Sequence, residues 1–155
     1  MSNPSMQLQD LAACELAGVR VTGQYGQGYE AALQHLMQWV QQHGVATREV
    51  IFIYHDDPNT TAPEQCRTDC CITLAEPEAV APSEAISRIS LPGGRYATLR
   101  CQIASPEQYG AAWQQLMQEL EQAGLQWDER PCFELYHHSG PQAASYDVSI
   151  CIPAR

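Results

Sequence analysis

The sequence predicts an α+β fold: a tandem repeat of strand-helix-strand-strand units, with an antiparallel sheet, two helices on one face and a central ligand groove. Three observations predict it. Two amphipathic segments recur at a fixed spacing. Each is flanked by β-rich segments in the same order. The 155 residues are 45% hydrophobic and 17% charged, which is the composition of one globular domain, 1–155.

Only Met1 to Ser5 reads as a tail. The first copy spans about residues 6–74. It opens on LAGVRVTGQY, an alternating strand that ends in turn glycines Gly23, Gly26 and Gly28. Residues 29–44 follow as YEAALQHLMQWVQQHG. Tyr29, Ala32, Leu33, Leu36, Val40 and His43 form one helical stripe, and Gly44 supplies a left-handed stop. VIFIYHDD and CRTDCCITL then read as strands, the second entered through Asp69.

Residues 75–85, rich in proline and acid, suit a surface linker. The second copy spans about residues 86–153. Its first strand is GGRYATLRCQI. Ser105 is a candidate helix cap and Pro106 a first-turn proline. The helix at residues 109–124, YGAAWQQLMQELEQAG, matches the first at nine of sixteen positions with an offset of 80. Tyr109, Ala112, Trp113, Leu116 and Leu120 form its stripe. PCFELYHHS and SYDVSICIP complete the copy, with Tyr136-His137 matching Tyr54-His55 and Asp147 matching Asp69. The pair His137-His138 is expected to mark the exposed end of its strand.

The formal net charge is −10, with only eight basic residues scattered along the chain. A nucleic-acid surface needs clustered cations, so direct nucleic-acid binding is disfavoured. The acidic surface suits a basic protein patch or a cationic small molecule, and equally serves solubility. No apolar run has the length of a membrane span, and no signal peptide precedes the fold, so the cytoplasm is the expected location with no membrane partner. Seven cysteines, an odd number, argue against a disulfide framework and read as small buried hydrophobes. Alternation sends Cys70 and Cys71 to opposite faces, and His35 and His43 lie too far apart for one ion. No metal and no cofactor is expected. A nucleophile elbow and a phosphate loop are also missing.

A sheet bearing two helices leaves a seam where ligands bind. Val50, Phe52 and Tyr54 share one strand face, as do Cys132, Glu134 and Tyr136. Aligning the Tyr-His ends sets Glu134 against Phe52. A carboxylate inside C-F-E-L-Y is costly to bury alone, so it faces solvent, meets a base, or serves a site.

The segments P-C-F-E-L-Y-H-H, L-P-G-G-R-Y-A, Y-D-V-S-I-C-I-P, I-Y-H-D-D-P and C-R-T-D-C-C-I-T-L together resemble the GyrI-like effector-binding family. The resemblance runs from about Met6 to Pro153. That family includes the DNA gyrase inhibitory protein, also called SbmC, and the effector domains of Rob and other AraC-type regulators. The resemblance implies a groove between the halves and an acidic residue facing it, which matches Glu134. By match and strand parity, Phe52, Tyr54 and Tyr136 would line the groove, with Tyr25 in the turn before the first helix. Trp39 and Trp113 are further candidates, although helical aromatics more often serve the core. The implied function is a stand-alone multidrug-type or stress-response protein that binds a lipophilic or cationic drug or toxin. DNA gyrase is a candidate partner. The alternative is a hydrolase of cyclopropane-bearing alkylating compounds, with Glu134 as general base and Tyr54 or Tyr136 as donor.

Overall fold

The computed structural model describes residues 5–44, 47–57, 59–74, 86–138 and 146–155. The linker reading at 75–85 and residues 1–4 of the expected tail lie outside them, and Ser5 is exposed. Among the described residues, eight strands and two α-helices make an antiparallel α+β fold. In chain order they are β1 (Gln7–Leu11), β2 (Cys14–Thr22), α1 (Tyr29–His43), β3 (Thr47–Tyr54), β4 (Arg67–Leu74), β5 (Ser87–Leu91), β6 (Gly94–Ile103), α2 (Glu107–Gln122), β7 (Cys132–His138) and β8 (Tyr146–Pro153). The chain forms two compact units. The α1 unit is Ala13–Leu91, and the α2 unit is Pro92–Arg155 together with β1.

In the α1 unit the strands run in the order β3-β4-β2-β5, each pair antiparallel. Helix α1 buries Ala32 and Leu36 of the expected stripe together with Trp39, which lies outside it, while His43 of the stripe is exposed. Leu36 and Trp39 pack against Ala17, Ile72, Leu74 and Ile86. Gly44 ends the helix at φ 60, its N–H donating to the Val40 carbonyl, as a left-handed glycine cap requires. Cys70 and Cys71 are both fully buried because β4 is covered on both faces. Gly18 on β2 is forced by packing: a Cβ there would lie 2.7 Å from Cys71 Sγ and 2.9 Å from Ile89 Cδ1. Tyr25 pins the turn into α1. Its hydroxyl donates to the Asp56 carbonyl at 2.8 Å and accepts from the Asp56 N–H at 2.9 Å.

In the α2 unit the order is β1-β6-β8-β7, again antiparallel throughout. Helix α2 buries Ala112, Leu116 and Leu120. It begins at Glu107 with Pro106 in the cap position, one residue later than the Ser105 cap predicts, and Ser105 does not cap it through its side chain. Pro106 already has helical dihedrals, and the Gln108 side chain reaches back to accept from the Ser105 N–H at 3.2 Å. The L-P-G-G-R-Y segment has a packing cause. Gly94 sits at φ 133, and the Arg130 guanidinium occupies the space a Cβ would need. That guanidinium lies 4.6 Å from the Tyr96 ring centroid and donates to the carbonyls of Gly93 and Arg95.

Two expectations change. Each unit has four strands where the sequence suggested three. The additional ones, β1 and β5, are short and mostly exposed, and each edges a sheet, so neither carries an apolar alternation to betray it. Secondly, β7 continues through His138, and a register shift between Tyr136 and His138 keeps the strand paired. His137 is therefore held in the sheet, its Nε2 lying 2.7 Å from Ser149 Oγ. No helix among the described residues is long and apolar enough to cross a membrane.

Candidate functional site

Glu134 lies in the middle of β7, opposite Ile150 of β8, and is only 3% exposed. Burying a carboxylate this deeply demands donors. Trp113, projecting from α2, donates its indole N–H to Glu134 Oε2 at 2.6 Å. Tyr136, two residues along the same strand face, donates to Oε1 at 3.3 Å. The Tyr136 hydroxyl in turn lies 2.8 Å from that of Tyr109, one helical turn before Trp113. Tyr136 spends its proton on Glu134, so Tyr109 is the donor of that pair. The relay runs Tyr109 to Tyr136 to Glu134.

Burial, then the neighbouring Glu134 charge, push the Tyr136 phenol far above its ordinary value and keep it a donor. Burial also raises the Tyr109 phenol. Tyr146, at the exposed start of β8, sets its ring edge-on to Tyr136 at 5.8 Å. Glu134 thus sits behind the half-buried side chains of Trp113 and Tyr109, with Tyr136 and Tyr146 adding aromatic surface.

The α1 unit arranges its candidates differently. Phe52 is 6% exposed and stacks on Tyr29 of α1 at 5.1 Å. The Tyr29 hydroxyl pairs with Thr68 Oγ1 at 2.9 Å. Tyr54 meets Tyr25 edge-on at 5.0 Å. Trp39 packs into the core cluster under α1, beside His43, with ring centroids 5.3 Å apart. Among the sequence candidates, Glu134, Tyr136 and Trp113 are joined by hydrogen bonds in the α2 unit, while Tyr25 and Tyr54 form one contact in the α1 unit. Tyr109, Tyr146 and Tyr29 were not singled out. Tyr29 and Tyr109 occupy the same position of the repeated helix segment, which was the available signal. Both read as ordinary stripe residues because an apolar stripe does not disclose where a hydroxyl points.

Charge is distributed in local pairs. All eight basic residues are arginines. Among the described residues, five of them form ion pairs: Arg20 with Asp69, Arg67 with Asp56, Arg88 with Glu15, Arg100 with Asp147 and Arg130 with Asp128. These pairs neutralise most of the positive charge in place. The cysteines are poor nucleophiles: burial pushes the Cys70 thiol up to about 12 and the Cys132 thiol to about 11.

A family match runs through this geometry: residues 4–155 fit the GyrI-like small molecule binding domain. The chain belongs to the GyrI-like family. Among curated GyrI-like relatives, the DNA gyrase inhibitor of Serratia proteamaculans is 32% identical over 150 residues, covering 94% of this chain and 95% of that protein. The GyrI-like fold is also that of the EcmrR C-terminal domain, with a TM-score of 0.81 at 16% identity over 98% of both chains. SAV2435 bound to tetraphenylphosphonium shares it with a TM-score of 0.63 at 18% identity, over 97% of this chain and 94% of that one. At such identities the two structures establish the fold alone. The family match makes this chain a small-molecule-binding domain.

Proposed function

We propose that this GyrI-like domain binds a lipophilic cation, a drug or toxin, with Glu134 as the charged anchor. The observation that carries the reading is the buried Glu134 carboxylate. It is held by an indole and a phenol, with Tyr109 and Tyr146 bringing further aromatic surface to the same place. Neutral donors preserve the negative charge, and aromatic faces add cation–π attraction. That SAV2435, of the same fold, is bound to tetraphenylphosphonium supports this ligand class. Tyr25, Phe52 and Tyr54 are proposed to supply aromatic surface for the same class of ligand. The matching order of strands and helix in the two units supports descent from one strand-helix-strand-strand repeat.

Calorimetric titration with tetraphenylphosphonium tests the anchor. Glu134→Gln keeps the shape and removes the charge. It should weaken binding by about tenfold or more while the protein stays folded. An unchanged dissociation constant would remove Glu134 from recognition. If no lipophilic cation bound the wild-type protein, a protein partner would become the better reading. DNA gyrase would be the first to try, because the curated relatives are DNA gyrase inhibitors.

A further inference from the structure

Both oxygens of Glu134 already accept a hydrogen bond from within the protein, Oε2 from Trp113 at 2.6 Å and Oε1 from Tyr136 at 3.3 Å. An ionised carboxylate offers about four acceptor sites, and each bond made internally reduces what a ligand can use. The flanking groups are donors as well. The indole can only donate, and the Tyr136 hydroxyl already accepts from Tyr109 at 2.8 Å. The surroundings of Glu134 therefore combine negative charge with donors that point at it.

Two kinds of organic cation respond differently to such an environment. A protonated amine carries N–H groups that lose water on burial and need new acceptors. Those N–H groups must compete with Trp113 and Tyr136 for the Glu134 oxygens, and displacing either internal donor strands a desolvated polar group. A quaternary ammonium or phosphonium carries no donor. It gains the electrostatic attraction and the aromatic faces without disturbing the two internal bonds. We infer that Trp113 and Tyr136 are specificity-determining residues, which make the site select permanently charged, donor-free cations over protonated amines of the same shape. This rests on the reading of Glu134 as the ligand anchor.

The test uses a matched pair of probes, (4-phenylbenzyl)trimethylammonium and (4-phenylbenzyl)ammonium. They share one hydrophobic body and differ only in N-methyl against N–H. Titration calorimetry on the full chain should show the wild type preferring the trimethylammonium probe by about tenfold. Trp113→Phe removes the donor on Oε2 and keeps an aromatic face. It should narrow that preference to about threefold or less, chiefly by improving the primary ammonium. Tyr136→Phe frees Oε1 instead and should move the ratio the same way, which keeps the inference testable if one variant folds poorly. A wild type that prefers the primary ammonium would overturn the inference. So would an unchanged ratio in folded variants whose binding still depends on Glu134. Failure of both probes to bind, or binding indifferent to Glu134→Gln, would instead bring down the anchor reading and the inference with it.

Discussion

The two units place the same kinds of side chain at matching positions and use them differently. In the α1 unit the strand residue is Phe52, the helix tyrosine Tyr29 stacks on it, and its hydroxyl turns aside to Thr68. In the α2 unit the strand residue is Glu134, and the helix tyrosine Tyr109 sends its hydroxyl through Tyr136 towards the carboxylate. A single exchange of an aromatic for an acid is accompanied by a redirected tyrosine and by a tryptophan, Trp113, where α1 has Leu33. The lesson is that a charge is not tolerated on this strand by the fold as such. It is tolerated where a set of donors surrounds it. The charged strand-end positions show the opposite case. Both units keep an arginine on an aspartate, Arg20 on Asp69 and Arg100 on Asp147, so that contact serves the sheet in both.

The most forceful way to break the comparison is to put the acid in the other unit. Phe52→Glu places a carboxylate against the Tyr29 ring face without the indole that Glu134 has. It should destabilise the protein by about 3 kcal/mol or more in urea unfolding. A loss below about 1 kcal/mol would show that the α1 unit accommodates a charge equally well, and the contrast would fail.

A smaller effect should separate the two aspartates. Asp69, with a side chain 5% exposed, is raised by burial but lowered more by hydrogen bonds from His55 and Arg20, so its pKa falls from 3.8 to about 2. A depressed folded pKa means that its contribution is complete above the unfolded value. It is lost as pH falls from near 4 towards 2. The difference corresponds to about 2 kcal/mol. Asp69→Asn should therefore flatten the stability profile over that window in acid unfolding. A mutant with the wild-type slope there would remove Asp69 as the source.

The smallest change is expected at the matching pair in the α2 unit. Arg100 is 60% exposed in its ion pair with Asp147. Solvent screening should hold the cost of Arg100→Gln below about 1 kcal/mol in the same unfolding experiment. A larger loss would mean that this pair does more for the sheet than its exposure suggests.

Much of this was legible before any coordinates. The three-four spacing of apolar residues located both helices, and alternation located β2, β3, β4, β6, β7 and β8, because these segments bury one face or both. Strands β1 and β5 escaped because they carry too little apolar patterning, and only pairing partners far along the chain identify them: β1 with β6, and β5 with β2. At the site, Glu134 stood out because an acid in an apolar strand violates the local pattern. Of its companions, Tyr136 and Trp113 are candidates through strand parity and the family resemblance, whereas Tyr109 obeys the helix pattern and conceals its polar end.

By itself, then, the sequence determined the periodicities, the six patterned strands, the strong acidity and the one carboxylate out of place. These depend on neighbours a few residues apart. The tertiary structure alone decided that Glu134 is buried, that an indole and a relay of two phenols hold it, and that the outer strands join sheets formed by distant parts of the chain. Those outcomes depend on register and on side-chain direction across elements, and a hydrogen bond of this kind exists only once the chain has brought α2 and β7 within reach of each other.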